Sequence, residues 1–187
     1  MTMFARATLL ALVALTSATA AAQSVYVGIN RTTPGETYAD FASARHVENY
    51  NNPIAGKLYG GYNLDDSYAI EAGVGMFGTW KIANPAPGSK EEVRISSKMM
   101  YLAGKASMPL GERFSLFGKL GIASNKFTME GTGFSSTSTT SIRPMVGFGV
   151  SANATKNLAM VLEYNYYGKV GQTYKQQKLE AGVQYRF

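Results

Sequence analysis

The chain has 187 residues, of which 45% are hydrophobic and only 16% charged, with 20 glycines, 12 tyrosines and 9 phenylalanines. It holds no cysteine, which excludes a disulfide framework, a thiolate metal site, a cysteine nucleophile and a lipid-carrying N-terminal cysteine. The net charge of +6 is spread over scattered Lys and Arg residues rather than a basic block, so nucleic acid is not an expected partner.

The first element in chain order is a leader. Arg6 precedes the apolar run from Ala7 to Leu15, and the small-residue stretch "SATAAAQ" follows. A positive residue, a short apolar core and an A-x-A site are the parts of a secretory signal. Residues 1–22 are read as a cleaved signal peptide, with cleavage before Gln23 or, as the alternative, after Ala20; residues 23–187 are read as one domain. The apolar run is shorter than the roughly 20 residues a membrane-spanning helix needs.

Past the leader, apolar and polar residues alternate with period two in segments of about ten residues, the length that crosses a bilayer as a tilted strand. Eight such segments follow one another: 24–32, 52–63, 67–80, 94–108, 114–127, 141–152, 158–168 and 176–187. The connections after the second, fourth and sixth are short ("LDD", "PLGER", "NATKN"); those after the first, third, fifth and seventh are longer and rich in Gly, Ser, Thr, Pro and Asn. An even strand count can close a barrel. Short turns at one end and long loops at the other are the pattern of an outer-membrane barrel whose short end faces the periplasm.

One face of the strands carries Ile29, Leu58, Val74, Met76, Trp80, Leu102, Leu120, Val146, Leu162 and Val183 with almost no charge. The other carries Lys57, Glu71, Lys105, Lys119, Arg143, Glu163, Glu180 and Arg186 among Gly, Ala, Ser, Asn and Tyr. A soluble lipocalin-like barrel would turn the apolar face inward around a ligand, whereas a membrane barrel turns it outward to lipid. The charges fall singly and mostly near mid-strand, too sparse for a soluble exterior. They suit a packed lumen of paired ions instead. Strand order puts Glu71 between the strands of Lys57 and Lys105, and lets Glu163 and Glu180 share Lys119 or Arg143 across the bore. Gly73, Gly75, Gly147 and Gly149 leave room there for long side chains. Tyr185 and Phe187, with Tyr62, Tyr68 and Phe114, are expected in the periplasmic aromatic girdle and Trp80 in the outer one.

Other motifs have plainer readings. "GVGMFG" (Gly73 to Gly78) matches a dinucleotide fingerprint, but a strand runs through it where that motif requires a helix. Asp40, Ser43 and His46 supply hydrolase residue types in the first long connection, where a loop would hold catalytic geometry poorly. Asp65 and Asp66 are turn residues. No catalytic, cofactor or metal residue is expected. Lys81, Lys90, Arg94, Lys126, Lys169 and Lys175 ring the outer rim, where they meet either lipid phosphates or solvent.

The stretch "GFGVSANATKNLAMVLEYNYYG" (Gly147 to Gly168), followed by "KLEAGVQYRF" (Lys178 to Phe187), resembles the last three strands of the OmpA-like eight-stranded outer-membrane barrels, the small porin-like family. Its most specific parts are "EYNYYG" at Glu163 to Gly168 and the terminal aromatic residue. The resemblance implies a place in the cell outer membrane and a terminal strand read by the outer-membrane assembly machinery through Tyr185 and Phe187. It also maps that family's lumen ion network loosely onto Glu71, Lys105, Glu163 and Arg143. The peptidoglycan-binding domain of full-length OmpA has no counterpart in these residues, so a wall-tethering role is not carried over.

The expectation is an all-β, eight-stranded antiparallel up-and-down transmembrane barrel: monomeric, non-enzymatic, with a plugged charged lumen and displayed loops. Its expected partners are outer-membrane lipid and lipopolysaccharide, and the assembly machinery. The competing classes are a narrow low-conductance channel and an adhesin acting through residues 35–49 and 129–140.

Overall fold

A computed structural model describes residues 25–32, 47–48, 56–83, 92–131, 134–170 and 174–187. Residues 1–22, read above as a signal peptide, lie outside the described residues, as do Asp40, Ser43, His46 and Lys90. The strands are β1 (Val25–Thr32), β2 (Val47–Glu48), β3 (Gly56–Asn63), β4 (Tyr68–Ala83), β5 (Glu92–Leu110), β6 (Phe114–Gly131), β7 (Phe134–Asn153), β8 (Leu158–Val170) and β9 (Tyr174–Arg186).

All of these except β2 form a closed ring in which every neighbour is antiparallel. The seam is β1 against β9, from Tyr26↔Arg186 to Thr32↔Glu180. Beyond the ladder, the Phe187 N–H donates to the Val25 carbonyl at 3.1 Å, and the Asn157 side chain donates to the Arg186 carbonyl at 2.7 Å. Closure removes the sheet edges whose unpaired amides would be costly in hydrocarbon.

The three short connections are tight turns. Asp65 Oδ1 accepts from the Ser67 and Tyr68 amides at 2.8 and 2.7 Å, and Thr155 Oγ1 accepts from the Leu158 amide at 3.0 Å. Gly111 turns the middle one with φ of 77°, a left-handed conformation that favours glycine.

Side-chain alternation resolves which face meets the interior. In β6, Leu116, Leu120 and Ile122 are exposed while Phe117, Lys119, Ala123 and Asn125 are buried. The same holds for Leu58 against Lys57 and Tyr59, Ile70 against Glu71, Leu102 against Tyr101 and Ala103, Leu162 against Glu163, and Leu179 against Lys178 and Glu180. The barrel is thus apolar outside and polar within. A single exposed leucine would mean nothing, but a continuous exposed band around a closed sheet is a lipid-facing surface.

Three features differ from the sequence-based reading. First, β5, β6 and β7 have 19, 18 and 20 residues, nearly twice what crosses a bilayer. Within the expected loop at 129–140, residues 129–131 and 134–140 are consequently strand, with Met129 opposite Thr137 and Gly131 opposite Phe134. Second, β2 forms within the expected first loop and pairs with β4, Val47 to Ile82 and Glu48 to Lys81. Third, the β4–β5 register shifts between Met76 and Thr79, so that Met76 faces Lys98 and Thr79 faces Ser96. One extra residue in β4 breaks the alternation that placed Trp80 on the Met76 face. Trp80 itself is opposite Ile95, and its side chain lies outside the described ones.

Large lumen side chains are seated over glycines on the facing strand. A Cβ on Gly61 would lie 2.2 Å from the Tyr26 ring, and one on Gly28 would lie 2.2 Å from the Tyr59 ring. Tyr26↔Gly61 and Gly28↔Tyr59 are direct register partners, so two tyrosines and two glycines exchange volume across one ladder. Gly73 admits Tyr101, and Gly149 admits Phe117, by the same pairing.

Candidate functional site: the ionic lumen

The buried face brings its charges to one place. The Lys119 ammonium lies 2.6 Å from Glu71 Oε1 and 2.6 Å from Glu163 Oε2. Lys57 pairs with the other oxygen of Glu163 and, at 2.6 Å, with Glu180 Oε2. The result is one chain of alternating sign, Glu180–Lys57–Glu163–Lys119–Glu71, that runs across the bore through β9, β3, β8, β6 and β4. Lys105 stands 3.9 Å from Glu71 Oε2 and completes three ammonium groups for three carboxylates. The four residues of the Lys57–Glu163–Lys119–Glu71 stretch are each no more than 3% exposed.

Neutral donors occupy the remaining carboxylate lone pairs. Tyr26 donates to Glu71 Oε2 at 2.9 Å, Tyr101 donates to Glu71 Oε1, Asn30 donates to Glu163 Oε1 at 2.6 Å, and Tyr167 donates to Glu180 Oε1 at 2.8 Å. Aromatic faces hold the cations: Lys105 lies 4.5 Å from the Phe117 ring centroid and 4.9 Å from that of Tyr26, and Lys119 lies 5.1 Å from Phe117. Buried charges are tolerable only when paired and hydrogen-bonded in this way, because a stranded partner costs roughly 3–5 kcal/mol.

Tyr167 reaches this cluster through a backbone irregularity. The β8–β9 register shifts between Tyr166 and Lys169, and Gly168 takes φ of 84°. The Tyr167 carbonyl freed there accepts from the Asn125 side chain at 2.8 Å. A Cβ on Gly168 would lie 2.4 Å from Arg143 Cβ, so the "YYG" sequence also lets β8 approach β7. Sequence alone marks these residues only as a family feature; their structural work is to set one phenol into the ion chain.

Of the residues singled out from sequence, Lys57, Glu71, Lys105, Lys119, Glu163 and Glu180 are buried in one cluster. Two arginines are corrections. Arg143 is exposed: it faces Ala123, four residues outward of the Lys119↔Gly147 level. Arg186 is also exposed, at the last register step of β9 opposite Tyr26. Both are in phase with the lumen but exposed where the cluster residues are buried. The pairing differs as well, since Lys57 serves Glu163 and Glu180 rather than Glu71. The sequence reading missed Asn30, Tyr26, Tyr101, Tyr167 and Lys178, all buried on the same face; their parity with Glu71, Glu163 and Glu180 was the available signal. Tyr185 and Phe187 are both exposed at the barrel end, with ring centroids 5.2 Å apart and nearly perpendicular.

Among the described residues no group of three or more His, Cys, Asp or Glu side chains forms a metal site. Among them, too, no helix is long and apolar enough to cross a membrane, which says nothing of a β-barrel.

A closed antiparallel barrel with an apolar exterior and a buried ionic interior defines a transmembrane barrel of the bacterial outer membrane. The chain belongs to the outer membrane protein beta-barrel domain family, whose model matches residues 7–187. No curated protein matches it in sequence. Among solved structures it is similar to Ail, the attachment invasion locus protein of Yersinia pestis, in complex with the heparin analogue sucrose octasulfate (TM-score 0.56, 15% identity, 88% of this chain and 97% of that one). It is similar also to the N-terminal β-barrel domain of Pseudomonas aeruginosa OprF (TM-score 0.56, 13% identity, 88% and 98%). A third is a major outer membrane protein of Thermus thermophilus (TM-score 0.51, 14% identity, 88% and 99%). At these identities the likeness is one of fold. The protein is placed in the cell outer membrane.

Proposed function

We propose that this protein is a structural outer-membrane barrel whose lumen is plugged by its own side chains and whose outer end is a display surface. The observation that carries the reading is the ion chain Glu180–Lys57–Glu163–Lys119–Glu71 across the bore. Eight strands enclose a space that side chains can fill, and here the filling is both charged and mutually neutralised. An ion entering the bore would have to part pairs whose separation costs several kcal/mol. Planar-bilayer recording tests this. The plugged reading expects no steady ohmic current from the native protein, and a measurable one from Glu163→Gln or Lys57→Met. A steady native current that shifts on those substitutions supports the narrow channel instead.

Display is favoured by a second observation. Strands β5 to β7 continue well past the length that spans a bilayer, and the β7 segment 136–140, "STSTT", is exposed. An adhesive role for this projection predicts that removing 129–140 abolishes attachment to a host or matrix surface and leaves the barrel folded. Unchanged attachment would dismiss it. The assembly machinery is proposed to read the final strand through Tyr185 and Phe187.

A further inference from the structure

Lys98 on β5 and Lys126 on β6 are direct cross-strand partners. Both are exposed, and their neighbours Met99 and Asn125 are buried, so both ammonium groups belong to the outer face of the barrel. Like charges directly opposite one another destabilise a sheet. The flanking partners in the same row, Met76 and Thr140, carry no charge to offset them. The rows above and below hold Ser96 with Thr128 and Met100 with Ser124. Among the described residues neither lysine makes an ion pair. Among the described side chains the pair therefore has hydroxyls as neighbours and no carboxylate.

The height of the pair identifies what offsets it. Lys98 and Lys126 lie twelve residues outward of the Leu110↔Phe114 pair, counted along either strand. At about 3.3 Å per residue and a tilt near 45°, that is about 28 Å, just beyond an apolar band about 25 Å tall. Below them the exposed residues are Met100, Leu102, Leu120 and Ile122, which face hydrocarbon. The ammonium groups thus stand at the level of the outer-leaflet headgroups, at the end of the barrel opposite the three short turns.

We infer that Lys98 and Lys126 together hold one phosphoryl group of a lipid A molecule in the outer leaflet, with Ser96, Ser124, Thr128 and Thr140 as neighbouring hydroxyl donors. A phosphate accepts hydrogen bonds on several oxygens and carries the charge that two adjacent ammonium groups lack. The inference rests on the placement of the barrel in the outer membrane and is independent of the plugged-lumen reading.

The test is binding of purified bisphosphorylated lipid A to the folded protein in detergent, followed by native mass spectrometry and compared with enzymatically dephosphorylated lipid A. Native protein should prefer the phosphorylated lipid. The Lys98→Gln/Lys126→Gln variant should lose roughly 25-fold in affinity, about fivefold for each surface lysine, while Lys156→Gln in a periplasmic turn should lose none. A second readout separates binding from folding: in lipid-free detergent Lys126→Gln should raise the midpoint of thermal unfolding by relieving repulsion, and with lipid A present it should lower it. Equal binding of dephosphorylated lipid A, or native affinity in the double variant, would overturn the proposal. So would a heparin oligosaccharide that requires both lysines without competing with lipid A, which would make the patch a glycan site.

Discussion

Glu71 and Lys119 are forty-eight residues apart in sequence and meet at 2.6 Å in the middle of the barrel. The contact joins β4 to β6 across the lumen, with β5 between them in the sheet. Lys57 and Glu163 make a longer reach, from β3 to β8, three strands apart around the ring, which the closed sheet brings together. Packing of this kind ties stability to closure.

Glu163 carries two lysines, and its loss should be the most damaging single change in the lumen. Glu163→Gln leaves Lys57 and Lys119 each with one carboxylate, and about 3–5 kcal/mol of destabilisation is expected in urea unfolding from bilayers. Lys105→Met should cost much less, because Lys105 lies 3.9 Å from Glu71 and packs against Phe117 and Tyr26. Combining Glu163→Gln with Lys119→Met should cost less than the sum of the two, the signature of groups in one network.

Glycines test the packing of the sheet independently of charge. A Cβ on Gly182 would meet the Ile29 carbonyl at 2.0 Å and Asn30 Cα at 2.6 Å, both backbone atoms that cannot swing aside. Gly182→Ala is expected to cost about 1–3 kcal/mol, as overpacking does. Gly104→Ala, whose Cβ would find only the Leu120 carbonyl at 3.9 Å, should be within about 0.5 kcal/mol of the native protein. The same urea titration compares them.

Removing Phe187 deletes one hydrogen bond to Val25 and one ring contact with Tyr185. Both are at the barrel end, so the purified variant should refold in detergent with nearly native stability. In cells the heat-modifiable, membrane-inserted fraction should fall several-fold if the assembly machinery reads the terminal aromatic. A fall of the same size in the refolded protein would assign the residue a purely structural role.

The barrel was legible because lipid enforces strict alternation: Leu116, Leu120 and Ile122 could not exchange places with Phe117 or Lys119. Where lipid ends, so does the signal. In the β7 segment 136–140 both faces are polar, and a strand there reads as a loop. The Met76/Thr79 shift was invisible because an inserted residue changes phase without changing composition. Charge parity picked out six members of the ion cluster and the pairings of Glu163 with Lys119 and of Glu71 with Lys105, yet the partner of Lys57 was misassigned. Neighbouring strands suggested Lys57 for Glu71, whereas strand tilt and closure bring Lys57 to Glu163. Arg143 shows the same gap, being in phase but exposed.

The face assignment is the foundation of this account, and a chain without cysteine allows it to be tested with single thiols. Bilayer-reconstituted Leu102→Cys, Leu120→Cys and Val183→Cys variants should carry fluorophores that brominated lipid tails quench strongly. Ala103→Cys and Ala123→Cys, buried in the lumen, should resist labelling until the protein is unfolded and show no such quenching. Quenching at the alanine positions, with aqueous labelling at the leucines, would contradict the assignment.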